Sequence, residues 1–222
     1  MDGHRRRTRL SAPAPAAYPD PVNGRVKALP WIAMGFAVIL LAARAGGWDL
    51  LPDPLGWVLV VAGLVTLRRL DRSFAVPLAV AVLAGLVSVP LWFPQLRMHL
   101  DASGSWAASL PQAVCCVLLC REIARVGAVQ QPPDRYLAQR FGLLGWAFVV
   151  VIVLPAVVLG AAVDALRGGT LAFSMLVNVA LVWHLFMAHR RPALGGPGPR
   201  EIRPPEIKPR DVRPRDVRRR RR

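Results

Sequence analysis

Few side chains in this sequence are equipped for chemistry, and the densest group lies in Gly46-Gly47-Trp48-Asp49-Leu50-Leu51-Pro52-Asp53-Pro54-Leu55-Gly56-Trp57. Asp49 and Asp53 stand four residues apart in it. Two carboxylates so placed can coordinate a cation together with loop carbonyls; the competing reading is a pair of hydrated loop acids. Asp53-Pro54 also reads as a helix start, with the carboxylate accepting from free N–H groups and proline at the first helical position. Gly56, together with Gly63, thins one face of that helix and permits close backbone packing. No capping role falls to Asp49, because Pro52 separates it from the helix. Asp49, Pro52, Asp53 and Gly56 form the candidate functional loop.

Within the apolar runs the chemically able groups are sparse. Asn178 falls near the middle of a long apolar stretch, where a carboxamide is expected to hydrogen-bond across a helix interface or, in a carrier, to contact a solute. His184 follows beside Trp183, but no carboxylate or second ligand in the same helix equips it for a proton relay or a metal. Cys115, Cys116 and Cys120 share one run; Cys116 and Cys120 lie on one helical face. Without CxxC spacing or partnering histidines they read as small hydrophobes rather than soft-metal ligands. No nucleotide loop, HExxH or GxSxG occurs, so no cofactor, metal or catalytic residue is assigned.

The elements that must position these groups follow from composition. The 222 residues are 54% hydrophobic and 19% charged, yet carry a net charge of +16. Grease and charge must be segregated, and apolar runs long enough to cross a bilayer alternate with short charged connections. The expected fold is an all-α polytopic transmembrane bundle with helices near 30–46, 52–68, 74–93, 105–120, 142–162 and 170–188. The second is the weakest span, since its unbroken apolar part, Leu55 to Leu67, reaches only about 20 Å. Pro77, Pro90, Pro111 and Pro155 are expected to bend spans three to five. Ala43-Arg44-Ala45 has the A-x-A shape of a signal-peptide cleavage site, but the long leader and the arginine inside it argue against cleavage.

Positive charge sets the orientation. Of the 29 basic residues, all but Arg44, Arg97 and Arg167 fall in the tails or in the connections after the second and fourth helices. The positive-inside rule therefore puts both termini in the cytoplasm. Tryptophan gives a separate indication: Trp31, Trp146 and Trp183 fall near inner helix ends, Trp48, Trp57, Trp92 and Trp106 near outer ends, as headgroup-level anchors. In the connection after the fourth helix, Arg121 to Val126 continues the helix, Gln130-Gln131-Pro132-Pro133 stops it, and Asp134 caps a new turn leading to Phe141. It reads as a snorkelling interfacial turn rather than a docking surface. Residues 1–29 and 189–222 read as disordered tails. The second contains an acid, β-branched, base repeat with recurring proline, from Glu201 to Arg220. Its uncompensated end, Arg218, Arg219, Arg220, Arg221 and Arg222, suits anionic lipid headgroups; an acidic protein or RNA is the lesser expectation.

Asp49-Leu50-Leu51-Pro52-Asp53, followed by Leu55-Gly56-Trp57, resembles a motif between the first two spans of a group of small uncharacterised bacterial multi-pass membrane proteins. Cys120-Arg121-Glu122-Ile123 is a second, weaker point of similarity, and Pro54 departs from the larger apolar residue usual at its position. The resemblance implies a bacterial plasma-membrane location and six spans, and implies no activity. Two functions remain. One is a non-enzymatic accessory or scaffold component whose basic tails engage lipid or a cytoplasmic protein. The other is a small-solute or ion transporter using Asp49, Asp53 and Asn178.

Overall fold

A computed structural model describes residues 28–41, 53–93, 99–161 and 164–191, together with 44, 45, 48, 49, 95 and 194. Residues 1–27 and 195–222 of the two expected tails, with the repeat and Arg218 to Arg222, lie outside the described residues, as does Pro52, whereas Ala28 and Leu29 already belong to a buried helical turn. Six long helices make up the described chain: α1 (Ala28–Leu40), α2 (Asp53–Leu70), α3 (Ala75–Leu91), α4 (Ala102–Val129), α5 (Gly142–Gly160) and α6 (Arg167–Ala188). Between α1 and α2, β1 (Arg44–Ala45) pairs antiparallel with β2 (Trp48–Asp49). Three helical stretches are long and apolar enough to cross a membrane: Arg72–Leu91, Leu137–Gly160 and Arg167–Ala188. Many of their large apolar side chains face outward; Trp146 is 73% exposed and Leu171 72%. A surface of that kind is stable against hydrocarbon and prone to aggregate in water.

The helices form a closed ring. Each packs on its neighbours in sequence, and α6 closes the circuit against α1. One contiguous apolar cluster draws on all six helices, with Phe36, Leu64, Ala81, Leu119, Phe148 and Leu181 among its members. The tightest seam is α1 against α2. A Cβ on Gly35 would stand 2.5 Å from the Gly56 carbonyl oxygen, and one on Gly63 would stand 2.7 Å from that of Ala28. Glycine at these positions lets two backbones touch, which larger residues would forbid. The first apolar run is thus a wall of the ring.

Several boundaries differ from expectation for identifiable reasons. Helix α1 ends at Leu40 rather than 46, because the backbone of Arg44 and Ala45 is committed to the ladder with Trp48 and Asp49. Helix α4 begins at Ala102, not 105: the Asp101 carboxylate accepts from the Gly104 N–H at 2.7 Å and caps it. Pro77 lies in the first turn of α3, where its missing N–H is not needed, whereas Pro90 lies inside the helix. Pro111 and Pro155 do fall inside α4 and α5. Beyond α6 the chain folds back, with the Leu194 N–H donating to the Arg191 carbonyl and the Leu194 side chain buried in the core. The ordered domain therefore reaches past residue 188.

Trp57, the fifth residue of α2, points inward: it is only 3% exposed and meets Phe36 edge-on at 5.9 Å between ring centroids. Gly85 of α3 makes room for it, with its Cβ position 3.2 Å from that of Trp57. The indole's large apolar area is thereby buried between three helices. Trp146 and Trp183 remain on the outer surface of the ring.

Candidate functional site

Four hydrogen bonds between side chains distant in sequence lie at one end of the ring, where α2 leaves, α3 begins, α4 stops, α5 starts and α6 finishes. The organiser is the connection from α4 to α5. Gly127 allows it to cross close to α4: a Cβ there would meet the Leu137 Cβ at 2.5 Å and the Ala138 nitrogen at 3.0 Å. The Asp134 N–H donates back to the Gly127 carbonyl at 2.9 Å, fixing the crossing. Asp134 Oδ1 then accepts from the N–H groups of Tyr136 and Leu137, at 3.1 and 3.3 Å, and so caps the turn leading into α5. That turn, Leu137–Phe141, is a π-helix, a form often found at functional positions.

Two groups of contacts are assembled on this frame. In the first, the Tyr136 hydroxyl is hydrogen-bonded to His184 Nδ1 at 2.7 Å, while the His184 ring lies edge-on to Tyr136 and Phe141. The Arg191 guanidinium stands 5.0 Å from the Tyr136 ring centre and donates to Asp134 Oδ2 at 3.0 Å. The Asp134 side chain is only 12% exposed, so this pair is better shielded than a surface ion pair. The first turn of α5 is thereby tied to the end of α6.

In the second group Arg125 of α4 reaches the turn between α2 and α3. Its guanidinium donates to Asp71 Oδ2 at 2.7 Å, to the Ser73 hydroxyl at 2.6 Å, and to Glu122 on its own helix at 2.7 Å. Asp71 also accepts from the Ser73 N–H at 2.9 Å, capping the 3-10 turn Arg72–Phe74. That N–H bond, and then the Arg125 guanidinium, hold the Asp71 carboxyl below its ordinary range. The two carboxylates in turn push the Arg125 guanidinium up.

The sequence-predicted residues are dispersed. Asp49 stands opposite Arg44 in the two-stranded ladder, and Asp53 opens α2 as the acid of its first turn. Gly56 is a packing position against Gly35 and Ile39. Among the described residues Asn178 makes no bond across a helix interface; its Nδ2 donates to the Ser174 carbonyl one turn back at 2.9 Å. Its Oδ1 is a buried side-chain polar atom with no partner among the described residues. Cys115, Cys116 and Cys120 are fully buried in the core, with the Cys115 thiol donating weakly to the Pro77 carbonyl at 3.7 Å. Of the predicted residues only His184 belongs to the polar end. Its partner Tyr136 lies 48 residues away and Arg125 lies 54 from Asp71, separations at which sequence offers no pairing signal.

Among the described residues no group of three or more His, Cys, Asp or Glu is placed to hold a metal ion. Comparison with family models, with curated proteins and with solved structures finds no match. The class defined here is therefore the architectural one, a ring of six helices with an apolar outer wall.

Proposed function

We propose that this chain is a non-enzymatic accessory or scaffold component of a bacterial plasma membrane, crossing it six times with both termini in the cytoplasm. The observation that carries the reading is the closed apolar interior: one contiguous cluster fed by all six helices fills the ring where a carrier would need a polar path. At the end with the α2–α3 and α4–α5 turns, Asp71, Ser73, Glu122 and Arg125 are engaged with one another, as are Asp134, Tyr136, His184 and Arg191, an arrangement that fixes helix ends. The basic excess in the tails and in these turns supports the orientation. On this reading the tails hold anionic lipid or a cytoplasmic protein to a rigid membrane base.

Asn178 Oδ1 favours a second reading, since an unpartnered acceptor inside a membrane domain marks a possible solute contact in a small-solute or ion transporter. Liposome flux over a broad solute panel separates the two. Background flux for wild type supports the scaffold; flux that Asn178→Leu abolishes supports the transporter. Cross-linking in cells followed by mass spectrometry then identifies what the scaffold holds.

A further inference from the structure

The polar end of the ring carries more positive charge than its own contacts use, and the surplus is concentrated beside the α2–α3 turn. Arg68 and Arg69 close α2, Arg72 lies in the 3-10 turn, and Arg121 lies one helical turn before Arg125 on α4. All four are exposed. The neighbouring carboxylates, Asp71 and Glu122, are both bound to Arg125. No ion pair is recorded for Arg68, Arg69, Arg72 or Arg121 among the described residues. Because Arg125 grips Asp71 and Ser73, on either side of Arg72, it brings the α4 rim against this turn. Arg121, four residues earlier on the same helix face, then lies about 6 Å nearer the apolar wall.

We infer that Arg68, Arg69, Arg72 and Arg121 form a binding site for the phosphate headgroups of anionic phospholipid, built by the folded domain and distinct from the arginine-rich tail. The level of the site selects a lipid over a soluble anion or protein. Leu70, between Arg69 and Asp71, is 54% exposed, and Val76, one turn beyond Arg72, is 58% exposed. Outward apolar side chains and unpartnered guanidiniums therefore alternate along one rim, which matches the boundary between acyl chain and phosphate. Guanidinium forks bind phosphate oxygens in pairs, so three of them at the α2–α3 turn, with Arg121 on the adjoining α4 rim, hold a headgroup more tightly than scattered surface charges do. The Arg125 contacts to Asp71 and Glu122 keep those acids from neutralising the site.

The inference rests on the membrane reading above but not on which face is cytoplasmic, because it is tested in micelles, where the two faces are equivalent. Full-length protein in non-ionic detergent is offered equal phosphatidylglycerol and phosphatidylcholine, and retained lipid is counted by native mass spectrometry. The expected result is a preference for phosphatidylglycerol that falls at least about fivefold in Arg68→Gln/Arg69→Gln/Arg72→Gln/Arg121→Gln. The quadruple lysine variant, which keeps the charge but loses the forks, is expected to restore part of the preference and to confirm that the domain folds. Replacing Arg218 to Arg222 by glutamine is expected to leave most of it. A glutamine rim variant that keeps the wild-type preference overturns the inference.

Discussion

The Tyr136 hydroxyl and His184 Nδ1 lie 2.7 Å apart, joining the π-turn that starts α5 to the last turns of α6. Arg191 over the Tyr136 ring and on Asp134 completes the same tie from the chain beyond α6. Tyr136→Phe is expected to lower stability by about 0.5–1.5 kcal/mol, the usual net worth of such a bond. Because both partners serve one bond, Tyr136→Phe combined with His184→Phe is expected to cost less than the two changes added. A double-mutant cycle on unfolding in mixed detergent measures this; strict additivity would show that the contact carries no energy.

Glycine at the α1–α2 seam makes a sharper prediction. Gly35→Ala places a Cβ at 2.5 Å from the Gly56 carbonyl oxygen, a backbone atom that moves only if the helix moves. The expected cost is about 1–3 kcal/mol, with α1 displaced from α2. Gly142→Ala, where nothing lies within 4 Å of the added carbon, is the matched control and is expected to be near neutral. Thermal midpoints followed by size-exclusion chromatography compare the two.

The Asp71–Arg125 pair predicts a pH dependence of defined sign. The Asp71 carboxyl is held below its ordinary value of 3.8 when folded, so it binds protons more readily when unfolded. Its stabilising contribution is fully present above that value and is lost as pH falls through the lower, folded one. The stability gap between wild type and Asp71→Asn is therefore expected to be constant near neutrality and to close in strong acid. With both side chains about two-fifths exposed, the gap stays below about 1 kcal/mol. A gap that widens on acidification would contradict the assignment.

Asn178 tests the interior from the other side. Its Oδ1 is buried without a partner, so replacing the carboxamide by leucine removes an unmet polar group while keeping the volume. Asn178→Leu is expected to be neutral or stabilising by up to about 1–2 kcal/mol, whereas loss of stability would reveal a bond to water or solute at that oxygen. Thermal midpoints in detergent, with and without candidate solutes, read the outcome.

Much of this architecture is legible in the chain because hydrocarbon is an undemanding solvent to predict for: long apolar runs and charged breaks give helices whatever they pack against. The start of α2 at Asp53 and the cap at Asp134 follow from local rules and are found where those rules put them. What escaped was set by partners distant in sequence. Trp57 went to the core because Phe36 and Gly85 prepare a place for it, and nothing local announces either. The short β ladder had a signal, the Gly46-Gly47 pair between Ala45 and Trp48, a dipeptide favoured in two-residue hairpins. Asn178 bonded within its own helix because the Ser174 carbonyl lies one turn away, closer to hand than any neighbouring helix.

The central claim, six crossings with the Arg125 and Tyr136 contacts on the cytoplasmic side, is tested most directly by cysteine labelling in intact cells. The native Cys115, Cys116 and Cys120 are buried in the core, so wild type is expected to give little background. Ser103→Cys, in the exposed first turn of α4, and Gln131→Cys, in the exposed turn after its last residue, place one thiol at each end of a single helix. A membrane-impermeant maleimide is expected to label Ser103→Cys in intact cells and Gln131→Cys only after permeabilisation. Labelling of Gln131→Cys from outside, or of both positions from the same side, would contradict the account.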